Sequence, residues 1–307
     1  MAMISVTQTK PKVTGFTKNR FRDAIWGYLF ITPNLIITIC FAVFPIIFAL
    51  YMSLTDWNLL SAPRFVGLEN YREILTDKVA RQTFFNTFYF FVISVPLNVF
   101  LSLALAVLLN QKIRGIAFFR TAYYLPYISA SVAVSLMFLW ILSNGGLLNQ
   151  FLGLLDIKPI GWLTNPRIAL NSVIGVTIWK GLGLNMVIFL AALQDLPREL
   201  FEAASIDGAS PVQQFFKITI PLLSPVIFFV CITGVINSFQ SFDLVYNMTE
   251  GGPGHATTII GYYIWRQAFD YLHMGYGAAL AYIVFIAILI LTAIQWVLRK
   301  RWVFVEE

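Results

Sequence analysis

The sequence has few charged residues, few cysteines and few histidines. Charged residues make up 12% of its 307 positions, whereas a soluble domain usually carries about 25%. So little charge cannot cover a water-facing surface, which excludes a soluble globular domain. The two cysteines both lie inside apolar stretches, and the two histidines lack clustered partners, so we expect neither a disulfide framework nor a bound metal.

Motifs that carry catalytic chemistry are missing as well. The dipeptide Gly-Lys does not occur, so the phosphate-binding loop GxxxxGK[ST] is absent and this chain is not expected to bind ATP. We find no nucleophile–base arrangement and no paired acids inside a span, and we therefore predict no catalytic residues. The net charge of +6 comes without a long basic tract, which argues against nucleic acid as a partner.

Apolar residues are abundant, at 58% of the chain, and they cluster in long blocks. Because a membrane-spanning helix needs about 20 apolar residues, we predict an all-α membrane protein with six transmembrane helices. Pro33 is expected to bend or delay the first of them. The predicted spans cover residues 32–54, 83–109, 118–142, 168–193, 222–244 and 275–298.

The distribution of basic residues predicts the orientation. With both termini inside, the inner segments hold 13 Lys and Arg residues and the outer segments hold seven, so both termini are predicted to be cytoplasmic. This divides the chain into a cytoplasmic tail at 1–25, a membrane domain at 26–298 and a cytoplasmic tail at 299–307. Within the membrane domain, residues 194–221 form the longest cytoplasmic segment.

This long cytoplasmic segment is amphipathic and does not resemble a solvated linker. Pro197 suits a first helical turn that Asp195 could cap, and Gly208 suits the left-handed end of a helix. Ser210 and Pro211 then start a second short helix, so we predict a helix–turn–helix along the membrane face. Its apolar anchors are predicted to be Phe201, Ile206, Phe215 and Phe216. Judged on these features alone, it could be an interfacial helix pair that binds nothing.

One run in this segment carries a family resemblance. Glu202-Ala203-Ala204, followed by Gly208, Ile218 and Pro221, resembles the EAA loop of binding-protein-dependent ABC importer permeases. The family pattern ends in Leu-Pro, and this chain departs from it only at Ile220, which keeps the size and polarity of leucine. The form Asp207-Gly208-Ala209 is similar to the one common in the sugar-importer branch. Two further stretches resemble the family: Phe118-Phe119-Arg120 with Leu125-Pro126, and Phe242–Tyr246 with Thr249–Pro253.

The resemblance implies a type I ABC importer permease fold in the cytoplasmic membrane of a bacterium or archaeon. It also implies several partners besides membrane lipid: a second homologous permease subunit, two ABC ATPase subunits that bind ATP and magnesium, and an extracytoplasmic solute-binding protein. The helix of the EAA loop is expected to couple the chain to the ATPase. The residues implied in this coupling are Phe201, Glu202, Ala203, Ala204, Asp207 and Gly208.

Polar residues inside the predicted spans are candidates for the substrate path. Lys180 lies mid-span, where a lysine costs about 2.5–3.5 kcal/mol, so it either lines the path or makes a structural bond between helices. The fifth span carries a neutral polar face around Asn237, which suits hydroxyl-rich ligands or, alternatively, hydrogen bonds between permease subunits. The positions that match the family's pocket are Lys180, Gly181, Leu184, Asn237, Ser238 and Ser241.

The expected function is ATP-driven import of a di- or oligosaccharide, or of a related polyol, by alternating access. Because Lys180 is a cation, an anionic polyol such as glycerol phosphate remains an alternative substrate. A secondary transporter with its own ion coupling would need acidic residues in mid-span, and only Asp243, at the outer end of the fifth span, comes near this. A purely structural subunit is the other alternative.

Overall fold

The computed structural model describes residues 16–111 and 114–304, with side chains from residue 24 onward. The chain forms two compact units, one ending at Tyr51 and the other beginning at Met52. In the described ranges the α-helices are α1 (Phe16–Thr38), α2 (Phe44–Ser53), α3 (Glu69–Thr76), α4 (Lys78–Leu109), α5 (Ile116–Ile128), α6 (Ser131–Ile141), α7 (Leu147–Gly153), α8 (Ala169–Gln194), α9 (Arg198–Ile206), α10 (Pro211–Gln214), α11 (Ile220–Phe239), α12 (Asp243–Met248), α13 (Ile260–Trp265) and α14 (Met274–Arg299). Single π-helical turns lie at Ile39–Val43, Phe215–Thr219 and Arg266–Asp270.

In the described ranges, the β-structure consists of one small hairpin. Strands β1 (Thr55–Asp56) and β2 (Arg64–Phe65) pair antiparallel, with Thr55 opposite Phe65. The ion pair between Arg64 and Asp56 on this hairpin is well exposed, so it contributes little to stability.

Several helices are long and apolar enough to cross a membrane. In the described ranges these unbroken stretches are Ala24–Ser53, Lys78–Leu109, Ala169–Gln194, Pro211–Phe239 and Met274–Arg299. The pair α5 and α6 also qualifies, but the two helices are bent by 99° relative to each other. An all-α protein with several spans is therefore confirmed, and the predicted number of six is reached if the bent pair counts as one span.

In the first unit, the first helix begins well before the predicted span start near residue 32. The helix begins at Phe16 and continues through Pro33 without a break, since membrane helices tolerate the loss of the backbone hydrogen bond that proline cannot make. A π-helical turn then joins α1 to α2. Residues 1–15 of the predicted N-terminal tail lie outside the described residues.

The third predicted span is not one continuous helix. α5 ends at Ile128 and α6 begins at Ser131, because Ser129 and Ala130 adopt extended ψ angles of 144° and 130°. Pro126 lies inside the last turn of α5, where it lacks an N–H group and weakens the helix just before the break. The predicted span over 118–142 is therefore corrected to two helices that are bent by 99° relative to each other.

The fifth predicted span begins earlier and ends earlier than expected. α10, the π-helical turn and α11 form one continuous helical stretch, and Pro221 and Pro225 lie within it. The second short helix of the loop is therefore continuous with the span. The stretch ends at Phe239, and Asp243–Met248 forms the separate helix α12.

The second unit is built around α4, which packs against α8 and α11. An apolar cluster lies between these helices, with Met186 and Phe189 of α8 and Val230 of α11 fully buried. α5 crosses α8 at Gly183, where any side chain would collide with the carbonyl of Tyr123. This close approach places α5 directly on α8.

A carboxylate ties three helices together at one end of the second unit. Asp77 precedes α4, and its carboxylate accepts hydrogen bonds from the hydroxyls of Tyr263 (2.6 Å) in α13 and Tyr276 (2.7 Å) in α14. It also accepts one from the Val79 N–H at 2.7 Å, which caps α4. Gln267 extends the network by donating to the Tyr263 hydroxyl at 2.8 Å.

Candidate functional site

A cavity of about 130 Å³ lies between α4, α8 and α11. Among the described residues that line it, none is charged. Its polar lining is made of Ser94, Asn98, Thr177, Asn185, Asn237, Ser238 and Ser241, and its apolar lining includes Phe90, Val95, Val99, Ile178 and Val230. Hydroxyl and amide groups both donate and accept hydrogen bonds, so this surface can bind a polar ligand without fixed charge.

Four of the six predicted path residues lie on this cavity. Gly181, Asn237, Ser238 and Ser241 line it. The Ser238 hydroxyl donates to the Gly234 carbonyl at 2.8 Å, while the Asn237 amide has no hydrogen bond within the described ranges. Asn237 is therefore free to bind a ligand or a partner subunit, and its part in transport stays a prediction.

The other two predicted path residues, Lys180 and Leu184, are not among the lining residues. The Lys180 ammonium instead donates a hydrogen bond of 2.6 Å to the hydroxyl of Ser131, the first residue of α6. This geometry matches the alternative in which Lys180 makes a structural bond between helices.

Two lining residues, Asn98 and Asn185, were missed in the sequence. They hydrogen-bond to each other across the α4–α8 contact, with Asn185 Nδ2 lying 2.6 Å from Asn98 Oδ1. The available signal was an isolated amide in the middle of an apolar block, since such a group is costly in a membrane unless a cavity or another helix receives it.

The predicted helix of the EAA loop is α9, and it begins differently from the prediction. Pro197 is the residue before the helix, with ψ at 123°, and no side chain caps the helix start. Asp195 lies at the C-terminal end of α8 and does not cap α9, so that prediction is wrong. Asp195 instead forms part of the turn that leaves α8, because α8 extends to Gln194.

The turn after α9 follows the prediction. Gly208 has a φ of +80°, a conformation that favours glycine because other residues clash there. Ser210 and Gln213 then form a reciprocal capping box at the start of α10. Gln214 ties the turn together by donating to Ser205 Oγ at 3.0 Å and to the Ala209 carbonyl at 3.1 Å.

The surface of α9 is largely uncovered. Glu202, Ala203 and Asp207 are exposed, and Ile206 is 86% exposed. Phe215 is the predicted anchor that packs on the core of α4, α8 and α11, whereas Phe216 is exposed and Phe201 is half-buried. Behind α9 lies a larger cavity of about 870 Å³, whose lining includes Phe201, Glu202, Arg120 and Arg198.

These features define a class of protein: a helical, multi-span membrane protein with an uncharged polar cavity among its spans and an exposed helical turn at one end. A comparison with protein families identifies the chain more specifically than this class. Residues 77–303 match the family described as "Binding-protein-dependent transport system inner membrane component", and the chain belongs to this family.

Individual relatives agree with the family. The chain is 39% identical over 291 residues to the probable ABC transporter permease protein YesP of Bacillus subtilis strain 168, covering 93% of this chain and 94% of that protein. It is 37% identical over 275 residues to the lactose transport system permease protein LacF of Rhizobium radiobacter, covering 88% and 92%. The resemblance inferred from the EAA loop is thereby confirmed: the chain is a multi-pass permease subunit of an ABC importer, and an ion-coupled secondary transporter is excluded.

The fold agrees with a solved structure of the same class. A crystal structure of a bacterial alginate ABC transporter, in complex with an alginate pentasaccharide-bound periplasmic protein, matches with a TM-score of 0.82. The match covers 92% of this chain and 96% of that chain at 21% identity. The predicted ABC importer permease fold is confirmed.

Proposed function

We propose that this chain forms part of the path by which an ABC importer moves a neutral di- or oligosaccharide across the cytoplasmic membrane of a bacterium or archaeon. The observation that carries the proposal is the lining of the cavity between α4, α8 and α11, which is rich in amides and hydroxyls and contains no charged group among the described residues. Sugars present hydroxyls without charge, and such a lining pairs with them directly. The lactose permease relative supports the same substrate class.

A second homologous permease completes the path in this proposal. The cavity measures about 130 Å³, whereas ligand sites usually measure about 300–1,000 Å³. One subunit therefore supplies only part of a sugar-sized site. The unpaired amide of Asn237, which is exposed on this chain, is available to a partner subunit or to the sugar.

ATP hydrolysis is assigned to two separate ABC ATPase subunits, which bind the nucleotide and magnesium. The chain has no GxxxxGK[ST] loop of its own, and the short helix α9 presents exposed Glu202, Ala203 and Ile206. A nine-residue helix is marginal in water without a partner surface, and the ATPase would supply that surface. An extracytoplasmic solute-binding protein, on which the family depends by its description, would deliver the sugar from outside.

The lining of the cavity argues against an anionic substrate such as glycerol phosphate. Lys180 is the cation that kept this alternative open, and its ammonium is bonded to Ser131 and is absent from the lining of the cavity. A phosphate in the cavity would be desolvated without a counter-charge from this chain, which is unfavourable.

Transport by the purified complex tests the proposal. The chain would be tagged, the complex purified from its host with its co-purifying subunits, and reconstituted into vesicles with the solute-binding protein. We expect ATP-dependent uptake of lactose or maltose and little uptake of glycerol 3-phosphate. Accumulation of glycerol 3-phosphate alone would overturn the sugar assignment. Mass spectrometry of the same preparation tests the subunit composition.

The orientation is tested separately. Six spans with both termini in the cytoplasm place residues 143–167 outside. A single cysteine introduced there should react with a membrane-impermeant maleimide in intact cells. Reaction only after the cytoplasmic face is opened would reverse the proposed topology.

A further inference from the structure

We propose that Asn98 is a positioning residue for the substrate path: it fixes the orientation of the Asn185 amide so that Asn185 presents its carbonyl oxygen to a sugar hydroxyl in the cavity. This inference rests on the proposed function and deepens it, because it names one hydrogen-bond acceptor of the site and the residue that orients it.

The first step is the bond from Asn98 to the backbone of α8. Asn98 Nδ2 lies 3.1 Å from the Ile178 carbonyl oxygen. A carbonyl oxygen only accepts hydrogen bonds, so the amide group of Asn98 that faces it has to be the NH₂ donor. The carbonyl oxygen of Asn98 is thereby turned to the opposite side.

The second step passes this orientation to Asn185. Asn98 Oδ1 lies 2.6 Å from Asn185 Nδ2 and 3.2 Å from Ser102 Oγ. Because Oδ1 only accepts, Asn185 has to turn its NH₂ group toward Asn98. One backbone carbonyl on α8 thus determines the orientation of two side-chain amides in succession.

The Oδ1 atom of Asn185 is the part of this amide pair that is left to bind a ligand. Asn185 lines the cavity, and its Oδ1 makes no hydrogen bond within the described ranges. That oxygen is not fully enclosed by the protein. It is a fixed acceptor, which a sugar hydroxyl can donate to without first reorienting the amide.

Gly181 makes the arrangement possible. A Cβ at this position would lie 2.9 Å from Asn98 Nδ2, closer than real Cβ contacts allow. The absence of a side chain lets Asn98 reach the α8 backbone. This gives Gly181, predicted to lie on the substrate path, a specific physical role.

The experiment uses the reconstituted complex with its solute-binding protein and measures KM and Vmax for lactose, maltose and trehalose, three disaccharides that differ in their linkages and hydroxyl geometry. For Asn98→Ala we expect KM to rise about three- to tenfold, the range of one net hydrogen bond, with Vmax changed less than about twofold. The ratios of KM among the three sugars should also move toward one. Asn185→Leu, which keeps the size but lacks the amide, should behave in the same way.

The double variant separates positioning from direct contact. If Asn98 acts through Asn185, then adding Asn98→Ala to Asn185→Leu changes KM by less than about twofold. A further loss as large as that of the single change would mean that Asn98 touches the sugar itself, and would overturn the inference. Gly181→Ala, which displaces the Asn98 amide without removing it, should reproduce part of the effect even if Asn98→Ala fails to assemble.

Ser102→Ala is the matched control. Ser102 is buried on α4 one turn after Asn98, and its loss leaves the Ile178 and Asn185 bonds of Asn98 in place. If Ser102→Ala raises KM as much as Asn98→Ala, the effect belongs to α4–α8 packing and the inference is wrong. If the wild-type complex transports glycerol 3-phosphate and none of the three sugars, the proposed function fails and this inference with it. If the wild type transports them and Asn98→Ala leaves KM and its ratios unchanged, only the inference fails.

Discussion

The Lys180 ammonium donates a hydrogen bond of 2.6 Å to the Ser131 hydroxyl, which joins the middle of α8 to the first residue of α6. The bond lies immediately after the break at Ser129 and Ala130. A cation at the N-terminus of a helix faces the positive end of the helix dipole and is disfavoured there. The ammonium therefore depends on the Ser131 oxygen, and the two residues hold the broken span against α8.

This contact predicts that Lys180 matters for stability more than for substrate affinity. Ser131→Ala leaves a half-buried ammonium without its partner, which costs about 1–3 kcal/mol, and should lower the Tm of the purified complex. Lys180→Met removes the charge together with the need for a partner, so it should lower the Tm less. Both variants should keep KM for sugar uptake within about twofold of the wild type. A tenfold rise in KM for Lys180→Met at an unchanged Tm would show instead that Lys180 contacts the substrate.

Asn237→Leu tests the cavity directly. Leucine matches asparagine in size but cannot hydrogen-bond, so it removes a donor and an acceptor from the lining. We expect the complex to assemble normally and uptake at low sugar concentration to fall about tenfold, as for the loss of about 1.4 kcal/mol of binding.

Thr233→Val is the matched control for Asn237→Leu. Thr233 lies about one turn earlier on α11, and its hydroxyl bonds within the helix to the Phe229 carbonyl at 2.9 Å. It is absent from the cavity lining. Normal uptake by Asn237→Leu, or an equal defect in Thr233→Val, would count against a role for the cavity.

The parts of the fold that could be predicted are those with a strong local signal. Long apolar blocks identified the spans, and the left-handed turn at Gly208 followed from its place at a helix end. The break at Ser129 was not predictable, because Pro126 alone does not determine whether a membrane helix bends or continues. Pro33 has the same chemistry and lies in an unbroken helix.

The residues of the site that could be predicted also have a strong local signal. The polar residues of the fifth span share a helical face, a local pattern that can be recognised in the sequence. Asn98 and Asn185 are far apart in the chain, and their hydrogen bond arises only from the packing of α4 on α8. Lys180 was recognised as unusual, but sequence spacing could not show that its side chain turns toward α6.

Asp77 predicts a pH dependence of stability. Burial raises the pKa of this carboxyl, but hydrogen bonds from Tyr263, Tyr276 and the N–H groups of Val79 and Ala80 lower it more, so its pKa lies below the ordinary 3.8. A depressed pKa means that the ionised carboxylate stabilises the folded state fully above the ordinary pKa. That contribution is lost as the pH falls from the ordinary pKa through the depressed one.

The variant Asp77→Asn measures this contribution. We expect it to lower the Tm of the purified protein at pH 7, because both tyrosine hydroxyls lose a charged acceptor. Hydrogen bonds of this kind contribute about 1–3 kcal/mol to stability. The difference in Tm between wild type and variant should shrink as the pH is lowered from 5 to below 3. A difference that stays constant over this range would show that the carboxylate charge is not what holds α4, α13 and α14 together.

In α9 and the turn after it, Glu202 and Gly208 are expected to have different roles. Gly208→Val places a β-branched side chain at a φ of +80°, which costs about 1 kcal/mol or more. This should distort the turn, weaken binding of the ATPase subunits and abolish transport. Gly208→Asn should be milder, because asparagine tolerates the left-handed region.

Glu202→Ala leaves the turn intact but removes an exposed carboxylate, which we propose pairs with a basic group on the ATPase. We expect the ATPase to stay bound, while stimulation of ATP hydrolysis by the sugar-loaded binding protein falls. Glu199→Ala is the matched control, since it removes another exposed acid from the same helix. The two readouts are the amount of ATPase subunit that co-purifies and the stimulated rate of hydrolysis. If Gly208→Val and Glu202→Ala both keep full binding and full stimulation, α9 is an interfacial helix that couples nothing, and the assignment of the coupling residues fails.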